Sequence, residues 1–149
     1  MNWNKNSVNE NNEFKDTLSL HYDNVSDNLN PNKLKTYGSN DINKYLKAPY
    51  KYIEDNFINN SDIYNKNILD YCCGTGSYLI MPAQNGANVW GVDISSKSIE
   101  LAIKRSKILN TSKKCKFEVG DAEKLSFNDN FFDIILCKNI TNWTLTFNC

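Results

Sequence analysis

A glycine turn and two aspartates spaced behind it are the residues of this chain best suited to chemistry. The stretch NILDYCCGTGSYL, Asn67 to Leu79, runs from apolar residues through an acid and two cysteines into Gly74-Thr75-Gly76. Such a turn could cradle a phosphate, hold the amino-acid end of a cofactor, or simply reverse the chain tightly. Asp93 stands about 20 residues beyond the turn, the spacing at which an acid closing a second strand binds two ribose hydroxyls. A carboxylate suits that task because it accepts two hydrogen bonds at once. Asp121, in GDAEKL, closes a third strand in the same way. Alone, the turn is a weak signal; the ordered set of glycine loop, Asp93 and Asp121 is much stronger.

Two familiar ligands fit the turn poorly. A dinucleotide fingerprint needs G-x-G-x-x-G, whose third glycine permits close helix packing. Here the run is GTGSYL, with Leu79 in the third position. A phosphate-binding P-loop needs Gly-Lys-Ser/Thr, and none follows. So the ligand is expected to carry a ribose, with something other than a pyrophosphate over the glycines.

The remaining reactive residue types assemble nothing. The five cysteines (Cys72, Cys73, Cys115, Cys137 and Cys149) are odd in number and lack paired metal-ligand spacing. They read as reduced thiols of a cytosolic protein, with adjacent Cys72 and Cys73 as small buried residues rather than a redox pair. His21 is the only histidine, so neither a Ser-His-Asp set nor a metal cluster can be built on it. Charge is balanced, 17 basic against 17 acidic residues, which leaves no bulk field to draw nucleic acid or a membrane surface. The polar opening MNWNKNSVNENNEF is neither a signal peptide nor a membrane span.

The elements that must position these residues are legible from about Asn67 onward. NILDYC reads as a buried strand and YLIMPAQN as a helix closed by Gly86. NVWGVDI is a second strand. SKSIELAIKRSKIL is an amphipathic helix capped by Ser95 or Ser96, with Ile99, Ala102 and Ile103 inward. CKFEVGD and FFDIILCKN supply strands three and four. At 149 residues the chain is one domain by length, and this alternation is that of a parallel, doubly wound α/β sheet. With the strands ordered 3-2-1-4, the three polar strand ends lie side by side on one rim, where open sheets bind their ligands. Before Asn67 the reading is coarser: a loose polar arm to about Asn40 with one short helix around EFKDTLSLHYDNVSDNL. A stripe of Ile42, Tyr45, Leu46, Tyr50, Ile53 and Phe57 follows, capped by Asn40 or Asp41 and interrupted at Pro49. The tyrosines of that stripe are packing residues first and a lid second.

The motifs resemble those of class I S-adenosylmethionine-dependent methyltransferases. LDYCCGTG is similar to their first motif, L-D-x-G-C-G-T-G, and GVDIS to their second. GDAEKLSFNDNFFDIILC resembles the third and fourth, the resemblance running from Asn67 to about Asn139. It implies a Rossmann-like fold, a domain over 61–149 preceded by an arm and helical cap over 1–60, and S-adenosyl-L-methionine as cofactor. Carried over by position, Asp70 would set the loop near the methionine amino group, and Cys72, Gly74 and Gly76 would line the methionine part. Asp93 would bind the ribose hydroxyls, with Ile94 against the adenine ring. Asp121 would accept from the adenine amino group and Ala122 would offer its backbone N–H. Cys137 and Lys138 would border the methyl group and the acceptor. A small-molecule acceptor is expected, with no nucleic acid, membrane or metal involved; no catalytic acid or base is assigned.

Three departures from the family pattern carry expectations of their own. Cys72 replaces the first glycine, which predicts ordinary β backbone there. Pro82 sits inside the first helix and predicts a kink or a late start. The family sheet has seven strands whereas this chain holds four, so strand four becomes an exposed apolar edge and the chain reads as the N-terminal part of a longer enzyme. The closing TNWTLTFNC matches no family motif. A remnant that binds cofactor or partner without turnover is therefore the second reading, and a nucleotide-linked oxidoreductase the third.

Overall fold

The computed structural model describes residues 5–41, 47–58 and 62–137. Four strands form one parallel sheet in the order β3-β2-β1-β4: β1 Asn67–Tyr71, β2 Asn88–Asp93, β3 Cys115–Val119 and β4 Ile134–Cys137. The expected doubly wound order is therefore the one observed. β1 is central, hydrogen-bonded to β2 and β4, and Ile68 through Tyr71 are all buried. Strands covered on both faces read as continuous apolar runs, which is why NILDY lacks polar alternation apart from Asp70.

Side-chain alternation along the strands sorts the core into two layers. Ile68 and Val89 face α3 (Ile80–Gln84) and α4 (Ser96–Ile108), packing with Leu79, Ala83 and Ile99. Leu69, Tyr71 and Val92 face the other way, onto Leu125, Phe127 and Phe132 of the segment that joins β3 to β4. Ala122 and an aromatic cluster cover that second face, with Phe127 and Phe132 at 4.8 Å and Trp90 and Phe132 at 5.4 Å between ring centres. On the β4 edge Ile135 is 58% exposed, matching the expected apolar edge.

Helix boundaries follow from capping chemistry. Ser95 caps α4, its hydroxyl accepting from the Ser98 N–H at 3.0 Å. The buried arc of α4 is Ser98, Ile99, Ala102, Arg105 and Ser106. That arc centres on Ala102, so Ile103, a further 100° round, lies at its margin and is 38% exposed, not inward as expected. α3 starts late, after a 3₁₀ turn over Ser77–Leu79, so Pro82 falls in its first turn, where its missing N–H has no bond to make. Gly86 closes α3 as predicted, with Gly86 N–H donating to Ala83 O at 3.1 Å and Ala87 N–H to Pro82 O at 3.0 Å.

The N-terminal region departs most from expectation. In place of a loose arm there is α1, a 23-residue helix over Lys5–Asp27 that packs along α4. Its shielded positions, Lys15, Leu18, Ser19, Asp23 and Ser26, fall on one face at helical spacing, and all but Leu18 are polar. Hydrophobic periodicity is silent about such a helix. Next come 3₁₀ turns over Pro31–Lys35 and Gly38–Asp41, then α2 (Lys47–Ile53) running into a wide π turn, Glu54–Ile58. Tyr50 of α2 is core, its ring 4.8 Å from that of Tyr78. The predicted positions Ile42, Tyr45 and Leu46 lie outside the described residues.

Candidate functional site

Parallel pairing alone brings three strand ends to one rim. Tyr71 stands opposite Val92 and also opposite Cys137, while Asp93 stands opposite Val119. Backbone bonds join the loops beyond: Cys73 N–H to Val92 O at 3.0 Å, and Gly120 N–H to Asp93 O at 2.9 Å. The glycine turn, the Asp93-Ile94 corner and the Asp121-Ala122 corner are thus neighbours.

The glycine turn has an open side and a packed side. Gly74 has φ +53°, and a Cβ built on it would meet nothing within 4 Å. Gly76 has φ +67°, and its Cβ would come within 2.9 Å of both Ala102 and Phe117. Gly76 therefore lets the turn sit down on α4 and β3, while Gly74 leaves space above it. Cys72 corrects the expectation of β backbone: its φ is +62° and its side chain is exposed. The turn demands the left-handed conformation there, and cysteine adopts it at a cost of about 1–2 kcal/mol. Cys73, by contrast, is buried in the core, as expected of both.

Asp93 is the centre of the site. One carboxylate oxygen accepts the Gly74 N–H at 2.7 Å and the other the Ser95 N–H at 3.0 Å. Burial pushes its carboxyl above the usual range, and the bonds from Ser95 and Gly74 oppose that rise. Asp121 is half-buried; Oδ1 accepts from the Glu123 N–H at 3.0 Å and Oδ2 from Lys15 Nζ at 2.7 Å. Burial would raise its carboxyl, but the bond from Lys15 and that from Glu123 outweigh it and hold it below the usual range. Ile94 is half-buried on the rim, its carbonyl accepting from Ser19 Oγ at 3.0 Å. Ala122, also half-buried, packs with Leu69, Tyr71 and Val92.

Asp70 sits elsewhere, fully buried beneath the turn. Burial above all, and then Glu54, Tyr50 and Asp70, make the Tyr78 phenol far harder to ionise. Cys137 ends β4 opposite Tyr71, and Lys138 lies outside the described residues.

Several supporting residues escaped the sequence reading. Arg105 is fully buried, with Nη1 donating to Thr75 O and Thr75 Oγ1, both at 2.7 Å, and Nη2 to Lys33 O at 2.9 Å. A cation three residues after Ala102, on the inward arc of α4, was the available signal. Glu54 is buried and accepts from the Ser39 N–H, while the Gly38 N–H donates to Ser77 Oγ at 3.1 Å. Asp23 of α1 accepts from Ser95 Oγ at 2.6 Å and from the Lys97 N–H at 3.0 Å, at the N-terminus of α4. Nothing in the local pattern marks it. Among the described residues no cluster of His, Cys, Asp and Glu could hold a metal ion, and no helix is long and apolar enough to cross a membrane.

An open glycine turn, an acid at the end of β2 hydrogen-bonded to it, and a second acid at the end of β3 share one rim of a Rossmann-like domain. Residues 64–148 match the protein family described as methyltransferase domain, and the chain belongs to that family. The resemblance to class I S-adenosylmethionine-dependent methyltransferases thereby holds. The demethylmenaquinone methyltransferase of Lactobacillus johnsonii is 39% identical over 70 residues, covering 45% of this chain and 29% of that protein. The tRNA (uracil(54)-C(5))-methyltransferase of Saccharomyces cerevisiae is 36% identical over 86 residues, covering 56% of this chain and 13% of that protein. The Methanococcus maripaludis crystal structure of a protein described as an S-adenosyl-L-methionine-dependent methyltransferase superposes with a TM-score of 0.55, and the MccD protein, 29% identical over 59% of this chain and 40% of that one, with 0.53. The Methanococcus protein is 26% identical, over 62% of this chain and 43% of that one. The chain thus spans less than a third of the length of these two curated relatives, whose named acceptors, demethylmenaquinone and a tRNA uracil, do not single out one substrate.

Proposed function

We propose that this chain binds S-adenosyl-L-methionine along the rim of β1, β2 and β3 and serves methyl transfer to a small-molecule acceptor. The observation that carries the reading is the bond from the Gly74 N–H to the Asp93 carboxylate beneath open space. It sets an acceptor pair for ribose hydroxyls directly beside a backbone with room above it. The residues fit the cofactor in kind: the Asp93 carboxylate as acceptor for a diol, Asp121 for the adenine amino group, Ala122 N–H for the ring, Ile94 for its face. Cys72, Gly74 and Gly76 would line the methionine part, Asp70 would hold the loop from below, and Cys137 and Lys138 would border the acceptor. The cofactor itself supplies a methyl group already activated on a sulfonium. What the protein must add is alignment of two reactants and exclusion of water, without a proton-transfer residue.

Residues 1–60 serve as a cap and 61–149 as the cofactor domain in this reading, within a cytoplasmic enzyme that acts on neither nucleic acid nor membrane. A dinucleotide is disfavoured because Leu79, in place of the third glycine, is fully buried in the core. Calorimetry with S-adenosylhomocysteine and with NAD tests the reading. Binding of the first alone is expected; binding of NAD alone overturns it. Transfer of label from S-adenosylmethionine to an acceptor separates the enzyme from a unit that only binds.

A further inference from the structure

α1 reaches the rim through one row of side chains, and Lys15 stands at its adenine end. Its ammonium bridges Asp121 and Glu123, so two of its three N–H donors are engaged. Four residues on, Ser19 donates to the carbonyl of Ile94, and four further on Asp23 receives Ser95 and Lys97. Lys15 is therefore held from both sides: by its own ion pairs and by a helix pinned to the next loop. Its side chain is only 16% exposed and that of Asp121 23%.

We infer that Lys15 is a specificity-determining residue, which selects a 6-amino purine by keeping Asp121 an ionised, fixed acceptor when the base covers it. The inference rests on the cofactor reading above, in which Asp121 faces the adenine amino group. The reason is chemical. A base laid over Asp121 removes water from its carboxylate and favours the protonated acid. A protonated carboxyl can donate as well as accept, and would then satisfy the oxo group of a 6-oxo purine. A carboxylate locked against an ammonium can only accept, so it takes the amino donor and repels the oxo group. The geometry leaves room for this, since Asp121 spends one lone pair on Lys15 and one on the Glu123 N–H. The same contact already holds the Asp121 carboxyl below the usual range against the effect of burial. Burial lowers the Lys15 ammonium, and its bonds to Asp121 and Glu123 more than reverse this, so the cation persists.

The test is calorimetric titration of the 149-residue chain with S-adenosylhomocysteine and with S-inosylhomocysteine, which carries oxygen in place of the amino group. The wild type is expected to prefer the adenosyl compound, and Lys15→Met to reduce that preference by about tenfold, the scale of one charge-assisted hydrogen bond. Lys15→Arg keeps the charge and is expected to retain the preference. Ser19→Ala loosens α1 while leaving the ion pair, and far-UV circular dichroism reports whether each variant keeps its helix. An unchanged preference in Lys15→Met overturns the inference. So does an equal loss in Ser19→Ala, which would make helix docking and not the ammonium responsible. If the wild type binds neither compound, the cofactor reading itself fails, and this inference falls with it.

Discussion

At the scale of single residues, Cys72 and Asp93 show opposite relations between a side chain and its backbone. Cys72 is held at φ +62°, a conformation glycine adopts without steric cost. Cys72→Gly is expected to relieve about 1–2 kcal/mol of backbone strain and to return part of it as greater freedom of the unfolded chain. The net effect is a gain of up to about 1 kcal/mol, seen as a higher urea midpoint at unchanged slope. Asp93 is matched to its surroundings, each oxygen taking one backbone N–H. Asp93→Asn turns one acceptor into a donor, which then faces an N–H. About 1–3 kcal/mol is lost when a buried donor goes unpaired, so S-adenosylhomocysteine affinity should drop at least about tenfold in calorimetry. The pH dependence of stability carries the same signature. Burial raises the Asp93 carboxyl, so the folded state binds its proton more tightly than the unfolded chain. Its contribution is full at pH values below the unfolded pKa and declines as pH rises through the folded one.

At the scale of elements, α1 and α4 form one unit because Asp23 completes the capping of another helix. It receives the Lys97 N–H and the Ser95 hydroxyl, and Ser95 in turn receives the Ser98 N–H. The positive end of α4 thus faces a carboxylate across the helix pair. Bonds from Ser95 first, and then Lys97, lower the Asp23 carboxyl, against the smaller effect of burial. The linkage here runs opposite to that of Asp93: the contribution is present above the unfolded pKa and is lost as pH falls through the folded one. Asp23→Ala is expected to cost about 1 kcal/mol at pH 7, and the difference from wild type should shrink at an acid pH below the lowered Asp23 pKa. Urea unfolding at both pH values checks this. Little of it follows from hydrophobic pattern, since Leu18 is the one apolar residue on a docking face otherwise made of Lys15, Ser19, Asp23 and Ser26.

At the scale of the whole molecule, Arg105 joins three parts that are distant in sequence: α4, the glycine turn and the Pro31–Lys35 turn. Three charge-assisted bonds from a fully buried guanidinium are strong where geometry is fixed. Arg105→Met keeps length and apolar volume but removes every donor. It is expected to destabilise the fold by about 3 kcal/mol or more. Faster amide exchange should appear at Thr75 and Gly76 and at residues 33–36 together. Exchange confined to one of the two segments would show that Arg105 does not couple them.

How far the sequence reaches can be judged from these same residues. β1 to β4, their order, α4 with its Ser95 cap, the late start of α3 at Pro82 and the Gly86 closure all rest on local rules. Apolar runs mark buried strands, a hydroxyl marks a cap, and proline and glycine mark limits. Gly74, Gly76, Asp93 and Asp121 were legible because a parallel sheet places successive strand ends on one rim whatever its side chains do. The positive φ of Cys72, the burial of Arg105, the polar docking face of α1 and the Lys15–Asp121 ion pair were decided only by tertiary structure. Each depends on which groups meet across 30 or more positions of chain, or on a backbone turn set by its surroundings. Pattern along a chain encodes which face of an element is buried; it does not encode what a polar group will find there.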